Sequence, residues 1–231
     1  MKFFDKYNRT ARLYPAIITM LPYLLVSIQL SNSELGGIFQ DLLSAKIAGN
    51  VTVAVVMIYL LIHINRFFSK EVFERWYFRE ELNMPTTDFM LFQNDHFSDQ
   101  YKQQVREKVL EDFGMGMPTR ELEDDDELEA RKRISEAVGL IRNKIKGGNL
   151  LLQHNIEYGF IRNLIGGSIL GIISSISAWV YFNITGASTA FIGITAFFII
   201  LFLIFLIASR LLINRFGRLY AKRLFLEYLA R

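Results

Sequence analysis

The stretch that decides the fold runs from Asn149 to Phe182 and reads NLLLQHNIEYGFIRNLIGGSILGIISSISAWVYF. Its first half mixes polar and apolar residues and ends in Arg162 and Asn163. Its second half, from Leu164, is apolar with interspersed small residues. A helix needs roughly 20 apolar residues to cross the hydrocarbon core of a bilayer. The stretch therefore predicts a soluble segment that runs directly into a transmembrane helix.

Three other apolar runs of similar length lie at about 13–30, 47–64 and 187–213. The chain has 231 residues, 52% of them hydrophobic, and these residues are concentrated in the four runs. This distribution is typical of a polytopic membrane protein. The first run follows a charged start, but it is long for a signal peptide and no small-residue cleavage site is clear after it. We therefore expect a retained helix.

We predict an all-α polytopic membrane protein with four transmembrane helices and a mainly helical cytoplasmic domain inserted between helices 2 and 3. Lys and Arg are concentrated outside the runs, whereas the loops at 31–45 and 183–186 carry none. By the positive-inside rule, both termini and the insertion are cytoplasmic, in a bacterial inner membrane. The predicted parts are 1–65 for the first two transmembrane helices and a short arm, 66–163 for a sensing or assembly domain, 164–213 for helices 3 and 4, and 214–231 for a basic amphipathic helix.

Four segments follow one another in the insertion. Residues 66–82 are expected to continue the second span as a helix, and 86–93, TTDFMLFQ, is expected to be a short strand or an extended arm. Ser98 or Asp99 can cap a helix that ends near Phe113. Residues 119–146 predict one long helix with a single apolar stripe. That stripe consists of Ile134, Val138, Ile141 and Ile145.

A basic sector lies beside this stripe. At about 100° per residue, Arg131, Arg142 and Lys146 fall within roughly 60° of one another, and Lys132 is close by. Such a sector can hold phosphates, so it is our candidate binding site for a nucleotide or short oligonucleotide. The alternative is a solvated helix face whose cations pair with neighbouring carboxylates.

Two membrane segments carry residues that suit an interface or a pore. Gly167, Gly171 and Ser175 recur every four residues in the third span, a spacing that lets helix backbones approach closely. They indicate packing within one bundle, or else a subunit interface or a wet pore. Asn50 and Thr52 in the second span should face protein or water, so they are candidate pore-lining residues. Asn50 could equally bond a neighbouring helix.

Several classes of site are excluded or disfavoured. There are no cysteines, so disulfides, thiolate metal sites and cysteine nucleophiles are excluded. His63, His96 and His154 are far apart, and the acidic run at 121–129 lacks the spacing of a calcium loop. No familiar catalytic fingerprint occurs. We therefore expect no enzyme, metal or cofactor. A membrane enzyme would need an unrecognised site among Asp95, His96, His154 and Glu157.

The stretches LNMPTTDFMLFQND and AVGLIRNKIKGGNLLLQHNIEYGFIRNLIGG, together with the four-span plan, resemble the membrane effector of the Hailong anti-phage defence system. The four-span membrane component of the Kiwa system is a competing resemblance. The first resemblance implies a tetrameric membrane-disrupting channel, held closed by DNA oligomers that a partner nucleotidyltransferase makes. It assigns no binding residue here.

Our leading expectation is an oligomeric inner-membrane channel or membrane-disrupting effector. Its cytoplasmic domain would control the pore through linkers 66–82 and 149–163, because each is continuous with a membrane helix. The alternative is a membrane-anchored scaffold or sensor that recruits a soluble effector partner. Segment 86–93 and the apolar stripe at 134–145 would then be its partner surfaces.

Overall fold

The structure is a computed structural model that describes residues 5–31, 47–79, 82–145 and 149–231, with side chains omitted at 30, 31, 47–54, 149 and 150. These residues form an all-helical protein, 85% helix, and no strand occurs among them. The chain divides into two compact units. The first unit comprises 1–72 and 159–209, and the second comprises 73–158 and 210–231.

The first unit contains most of the apolar helices. In chain order they are a π-helical segment at Asn8–Leu13, α1 at Tyr14–Ser31, α2 at Ile47–Phe67 and a second π-helical segment at Phe68–Glu74, followed after the second unit's short helices by most of α8 at Asn149–Ile184 and by α9 at Thr189–Ile207. The turn between α8 and α9 has Gly186 at φ 65°, a conformation that glycine adopts without a steric penalty.

Three helical stretches in the described residues are long and apolar enough to cross a membrane. They are Asn8–Gln29, Leu151–Ile184 and Thr189–Ile207, so the protein is a candidate membrane protein by length and composition. The second apolar run forms α2, whose side chains are described only from Val55 onward, and a fourth span stays a prediction. The last run is shorter than expected, because α9 ends at Ile207 and a new helix starts at Ser209.

The second unit is built from short amphipathic helices around one core. They are α3 at Arg75–Phe78, α4 at Pro85–Asp88, α5 at Asp99–Phe113, α6 at Arg120–Asp125, α7 at Glu127–Lys144 and α10 at Ser209–Leu229. The predicted stripe of α7 is buried, as its 3.6-residue period required. The core also takes in Phe89, Met90 and Leu91 and the α10 residues Leu224 and Phe225.

The predicted ends of α5 are confirmed. The Ser98 side chain accepts a hydrogen bond from the backbone N–H of Tyr101 at 3.3 Å, which caps the first turn. At the other end Gly114 has φ 63° and closes the helix. The predicted helix after residue 66 is also confirmed, although it passes through a π-helical segment and ends at Phe78 rather than at Leu82.

Two predictions in this unit are wrong. Residues 86–93 form the helix α4 and a series of turns instead of a strand, because Pro85 starts a helical turn and the N–H groups of Thr87 and Asp88 both bond the Met84 carbonyl. The single helix at 119–146 is two helices. Asp126 breaks it with φ −144°, and its carboxylate caps α7 by accepting from the Glu129 N–H at 3.0 Å.

The two surfaces that we expected to recruit a soluble partner are also wrong. Phe89, Met90 and Leu91 are buried, and so is the whole apolar stripe of α7. Likewise, the C-terminal helix does not lie with its apolar side on a leaflet, because Leu224 and Phe225 are in the core of the second unit. These apolar residues cover one another within the chain and leave no exposed apolar face at these positions.

The chain passes between the two units three times, and each crossing lies in helical backbone. Residues 72 and 73 are in the second π-helical segment, 158 and 159 are within α8, and 209 and 210 begin α10. The prediction that a soluble segment runs directly into an apolar helix is confirmed by the 36 residues of α8.

Candidate functional site

Of the four residues in the predicted basic sector, only Arg131 is found at a cavity. This cavity of about 630 Å³ lies in the second unit. It collects side chains from the end of α3, the start of α7 and the start of α10. Its lining residues are Trp76, Tyr77, Arg79, Leu82, Asn83, Glu127, Leu128, Arg131 and Arg210. Three of these residues carry guanidinium groups and one carries a carboxylate, which makes the lining cationic.

Arg79 enters the cavity from a strained backbone. It follows α3 with φ 42° and ψ 63°, and among the described residues no other non-glycine has a positive φ. The left-handed conformation costs about 1 kcal/mol for a residue with a Cβ. Its N–H bonds the Arg75 carbonyl at 3.0 Å, which holds the turn. Residues kept in such conformations cluster at functional sites, so the strain adds weight to this cavity.

Arg131 is anchored by carboxylates. Its Nη1 donates to Asp88 Oδ1 at 2.6 Å and to the Leu82 carbonyl at 2.9 Å, and its Nε donates to Glu127 Oε1 at 2.7 Å. Burial alone would lower the pKa of Arg131, but the bonds to Asp88 and Glu127 raise it instead. Arg131 is thus a fixed cation at the wall of the cavity.

The two carboxylates of this network differ in environment. Burial raises the pKa of Asp88, and the bond from Arg131 offsets only part of that effect. The bond from Arg131 lowers the pKa of Glu127, which lies nearer the solvent. Glu127 alone lines the cavity, so it is the group that an anionic ligand would have to displace or accept beside it.

The other two arginines of the lining are available. No carboxylate among the described residues pairs with Arg79 or Arg210, and both side chains are exposed. Guanidinium groups bind phosphate oxygens through paired N–H donors. The cavity therefore offers two uncommitted phosphate donors next to a third, fixed cation.

One wall of the cavity is aromatic. The rings of Trp76 and Tyr77 stack with centroids 5.9 Å apart and an interplanar angle of 22°. Trp76 is 75% exposed, which is unusual for so large an apolar ring. Aromatic faces of this kind stack with nucleobases irrespective of base identity. Together with the arginines, the wall can hold a planar, phosphorylated ligand.

The remaining predicted basic residues do not join this cavity. Arg142 Nη2 donates to Thr86 Oγ1 at 3.2 Å, and Lys132 Nζ lies 4.0 Å from Glu129 Oε2. Both contacts fit the alternative of a helix face whose polar groups bond one another. Lys146 lies outside the described residues.

The small residues of the third span pack inside the first unit. A Cβ at Gly167 would stand 2.4 Å from Thr19 Oγ1, and one at Gly171 would stand 2.7 Å from the ring of Phe202. Ser175 is buried and donates to the Gly171 carbonyl at 2.6 Å. These contacts match the packing alternative. Asn50 and Thr52 lie in α2, and their side chains are outside the described residues.

The sequence gave little sign of two residue groups. Arg79 and Arg210 are distant from Arg131 in the chain, and no periodicity connects them. Glu123 was read as part of a solvated acidic run, yet it is buried and accepts from the Phe92 and Gln93 N–H groups at 2.8 and 3.0 Å. Its signal, an acid at a helix start, is shared by its exposed neighbours.

The histidines are dispersed in the described part of the chain. His96 stacks on Phe89 with centroids 3.8 Å apart, and His154 Nδ1 lies 3.4 Å from Glu157 Oε2. No group of three or more His, Asp and Glu residues suited to a metal occurs among the residues described. Comparison of the chain with protein-family models, with curated proteins and with solved structures gives no match.

Proposed function

We propose that this protein is an oligomeric inner-membrane channel or membrane-disrupting effector, controlled by a nucleotide or short oligonucleotide in the cavity of Arg79, Arg131 and Arg210. The proposal includes four transmembrane helices, cytoplasmic termini and a role in anti-phage defence. The observation that carries it is the cavity itself, where three guanidinium groups meet an exposed tryptophan.

Phosphate binding follows from the charges of this cavity. Arg79 and Arg210 have no described carboxylate partner, so an incoming phosphate gains their hydrogen bonds without breaking an ion pair. Arg131 keeps Asp88 as its partner when a ligand draws it away from Glu127. Stacking on Trp76 adds about 1–3 kcal/mol per base and requires no particular sequence.

The position of the arginines in the chain supports a link to the membrane helices. Arg210 is the second residue of α10 and directly follows the crossing after Ser209. Arg79 closes the helical stretch that continues α2 through the π-helical segment. A ligand held by both residues acts on two helical connections at once. It would change the pore only by binding one state more tightly than the other.

Ligand binding can be measured through Trp76, because the chain has only two tryptophans. In a Trp179→Phe background Trp76 is the only indole, and stacking of a base should quench its fluorescence. Mono-, di- and oligonucleotides are titrated into the purified protein. We expect Arg79→Gln and Arg210→Gln each to weaken binding about tenfold, whereas Arg133→Gln, which is outside the cavity, should leave it unchanged.

The binding proposal fails if no nucleotide quenches Trp76, or if the three arginine variants respond alike. Channel function needs a second assay. Purified protein in liposomes is tested for ion flux with and without the ligands that bind, and its oligomeric state is measured by light scattering. Absence of flux under every ligand condition, combined with a monomer, would refute the channel.

A further inference from the structure

A second cavity, of about 520 Å³, lies in the first unit between the two N-terminal helical stretches. Most of its lining is apolar, with polar and basic side chains among it. The lining residues are Asn8, Arg12, Leu13, Ile17, Val55, Val56, Ile58, Tyr59, Ile62, His63 and Arg66. None of these described lining residues is acidic. We call this cavity the α1–α2 groove.

The two helices of the groove run in opposite directions. Asn163 of α8 donates to the Ala11 carbonyl and accepts from the Ser69 hydroxyl. One turn later, a Cβ at Gly167 would meet Thr19 and Asn65. Along α8, the contacts therefore move forward through the first helical stretch and backward through α2.

This antiparallel arrangement sorts the lining by polarity. Asn8 and Arg12 begin the first helical stretch and Arg66 ends α2, so all three lie toward one end of the groove. Val55 and Val56 lie toward the other end, and both are exposed in the chain. One end is thus basic and the rest is apolar. An amphipathic ligand with a negatively charged head matches both parts.

We propose that the α1–α2 groove binds an anionic phospholipid. The lipid phosphate lies against Arg12 and Arg66, and one acyl chain follows Ile17, Ile62 and Val55. Two arginines without an acidic neighbour in the lining favour an anionic headgroup over a zwitterionic one. This site is separate from the Arg79 cavity, so it stands or falls independently of the proposed ligand control.

The charge of the site is tested by native mass spectrometry of the full chain in detergent. Phosphatidylglycerol and phosphatidylcholine are titrated against wild type, the double variant R12Q/R66Q and the matched control R9Q/K70Q. The control removes the same charge from exposed residues outside the groove. We expect wild type and control to prefer phosphatidylglycerol about tenfold and R12Q/R66Q to lose that preference. Equal loss in both double variants would overturn the proposal.

The apolar part is tested with Val55→Trp, which fills the groove, and Leu60→Trp, which places the same side chain on an exposed position outside it. Retained lipid should fall severalfold with Val55→Trp only. If Val55→Trp instead changes the oligomeric state and leaves lipid binding intact, a second copy occupies the groove and the proposal is wrong. This pair decides the question even if R12Q/R66Q does not fold.

Discussion

The carboxamide nitrogen of Asn65 donates a hydrogen bond to the hydroxyl oxygen of Thr19 at 3.1 Å. Both side chains are buried, and the bond joins α1 to α2. Gly167 of α8 lies against the same pair, with no side chain of its own. A polar bond between helices thus sits in a space that only glycine leaves open, and this makes Gly167 the most constrained of the small residues in α8.

Gly167→Ala is expected to destabilise the first unit by roughly 1–3 kcal/mol, because the new Cβ would overlap Thr19 and Asn65. Gly193→Ala in α9 is the matched control, since nothing lies within 4 Å of its Cβ position. Thermal unfolding of both variants in detergent measures the difference. Equal midpoints for the two variants would show that Gly167 is not tightly packed.

Gly171 should be coupled to Phe202 within one chain. Gly171→Ala is expected to cost roughly 1–3 kcal/mol because of the ring beside it, and Phe202→Leu should relieve the clash. A double-mutant cycle on thermal stability measures this coupling. The larger Gly171→Leu is expected to disturb assembly or gating rather than insertion. A Gly171→Leu protein with normal oligomer and activity would leave Asn50 and Thr52 as the remaining pore candidates.

Glu123→Ala is expected to destabilise the second unit by about 2–4 kcal/mol. It leaves the Phe92 and Gln93 N–H groups without their acceptor, at roughly 1–3 kcal/mol for each that stays buried. Glu121→Ala is the control, because Glu121 is an exposed acid in the same helix. Chemical denaturation monitored by circular dichroism gives both values. Similar losses would mean that the buried carboxylate carries no special role.

Phe225→Ala is expected to cost about 3–5 kcal/mol, since Phe225 is fully buried in the second unit. Leu226→Ala changes the next residue of the same helix, which is exposed, and should cost less than about 1 kcal/mol. If instead α10 rests on a membrane surface, the two variants would unfold alike and differ in lipid binding. Protease resistance of the second unit reports the same distinction.

Glu127→Gln is expected to raise nucleotide affinity about twofold to fivefold, because it removes the one carboxylate of the Arg131 cavity at a cost near that of an exposed ion pair, about 0.3–1 kcal/mol. The Trp76 fluorescence titration measures it, with Glu129→Gln as the control. Because Arg131 lowers the pKa of Glu127, its pairing is present above the ordinary carboxyl pKa and is lost only as pH falls through the lower folded value. Wild-type affinity should therefore not rise between pH 7 and 6, and a rise there would contradict this account.

The sequence was most informative where periodicity and side-chain chemistry agree. The stripe of α7 was predictable because four β-branched residues recur at helical spacing, and the Ser98 cap because serine satisfies a free N–H at a helix start. The break at Asp126 was not, since acids are frequent both inside and before a first turn. Residues 86–93 are too short and aromatic for a periodic signal to separate a strand from turns.

The cavity was only partly predictable for a different reason. Arg131 stood out because its neighbours on one helix share a sector, but that sector also contained Arg142, which bonds Thr86 instead. Arg79 and Arg210 reach the cavity through tertiary packing of α3 and α10 with α7. Such long-range proximity leaves no local pattern, so the composition of the cavity had to come from the structure.

The divided core of the second unit has a consequence for the order of biosynthesis. Ala221, Leu224, Phe225 and Tyr228 complete that core, and the ribosome makes them after all of α8 and α9. Chains are synthesised at about 5–20 residues per second, so residues 73–158 wait several seconds for these partners. The unit that carries the arginine cavity is therefore finished only after the apolar helices have left the ribosome. A chain truncated before Ala221 would lack a ligand-competent second unit even if its apolar helices were inserted.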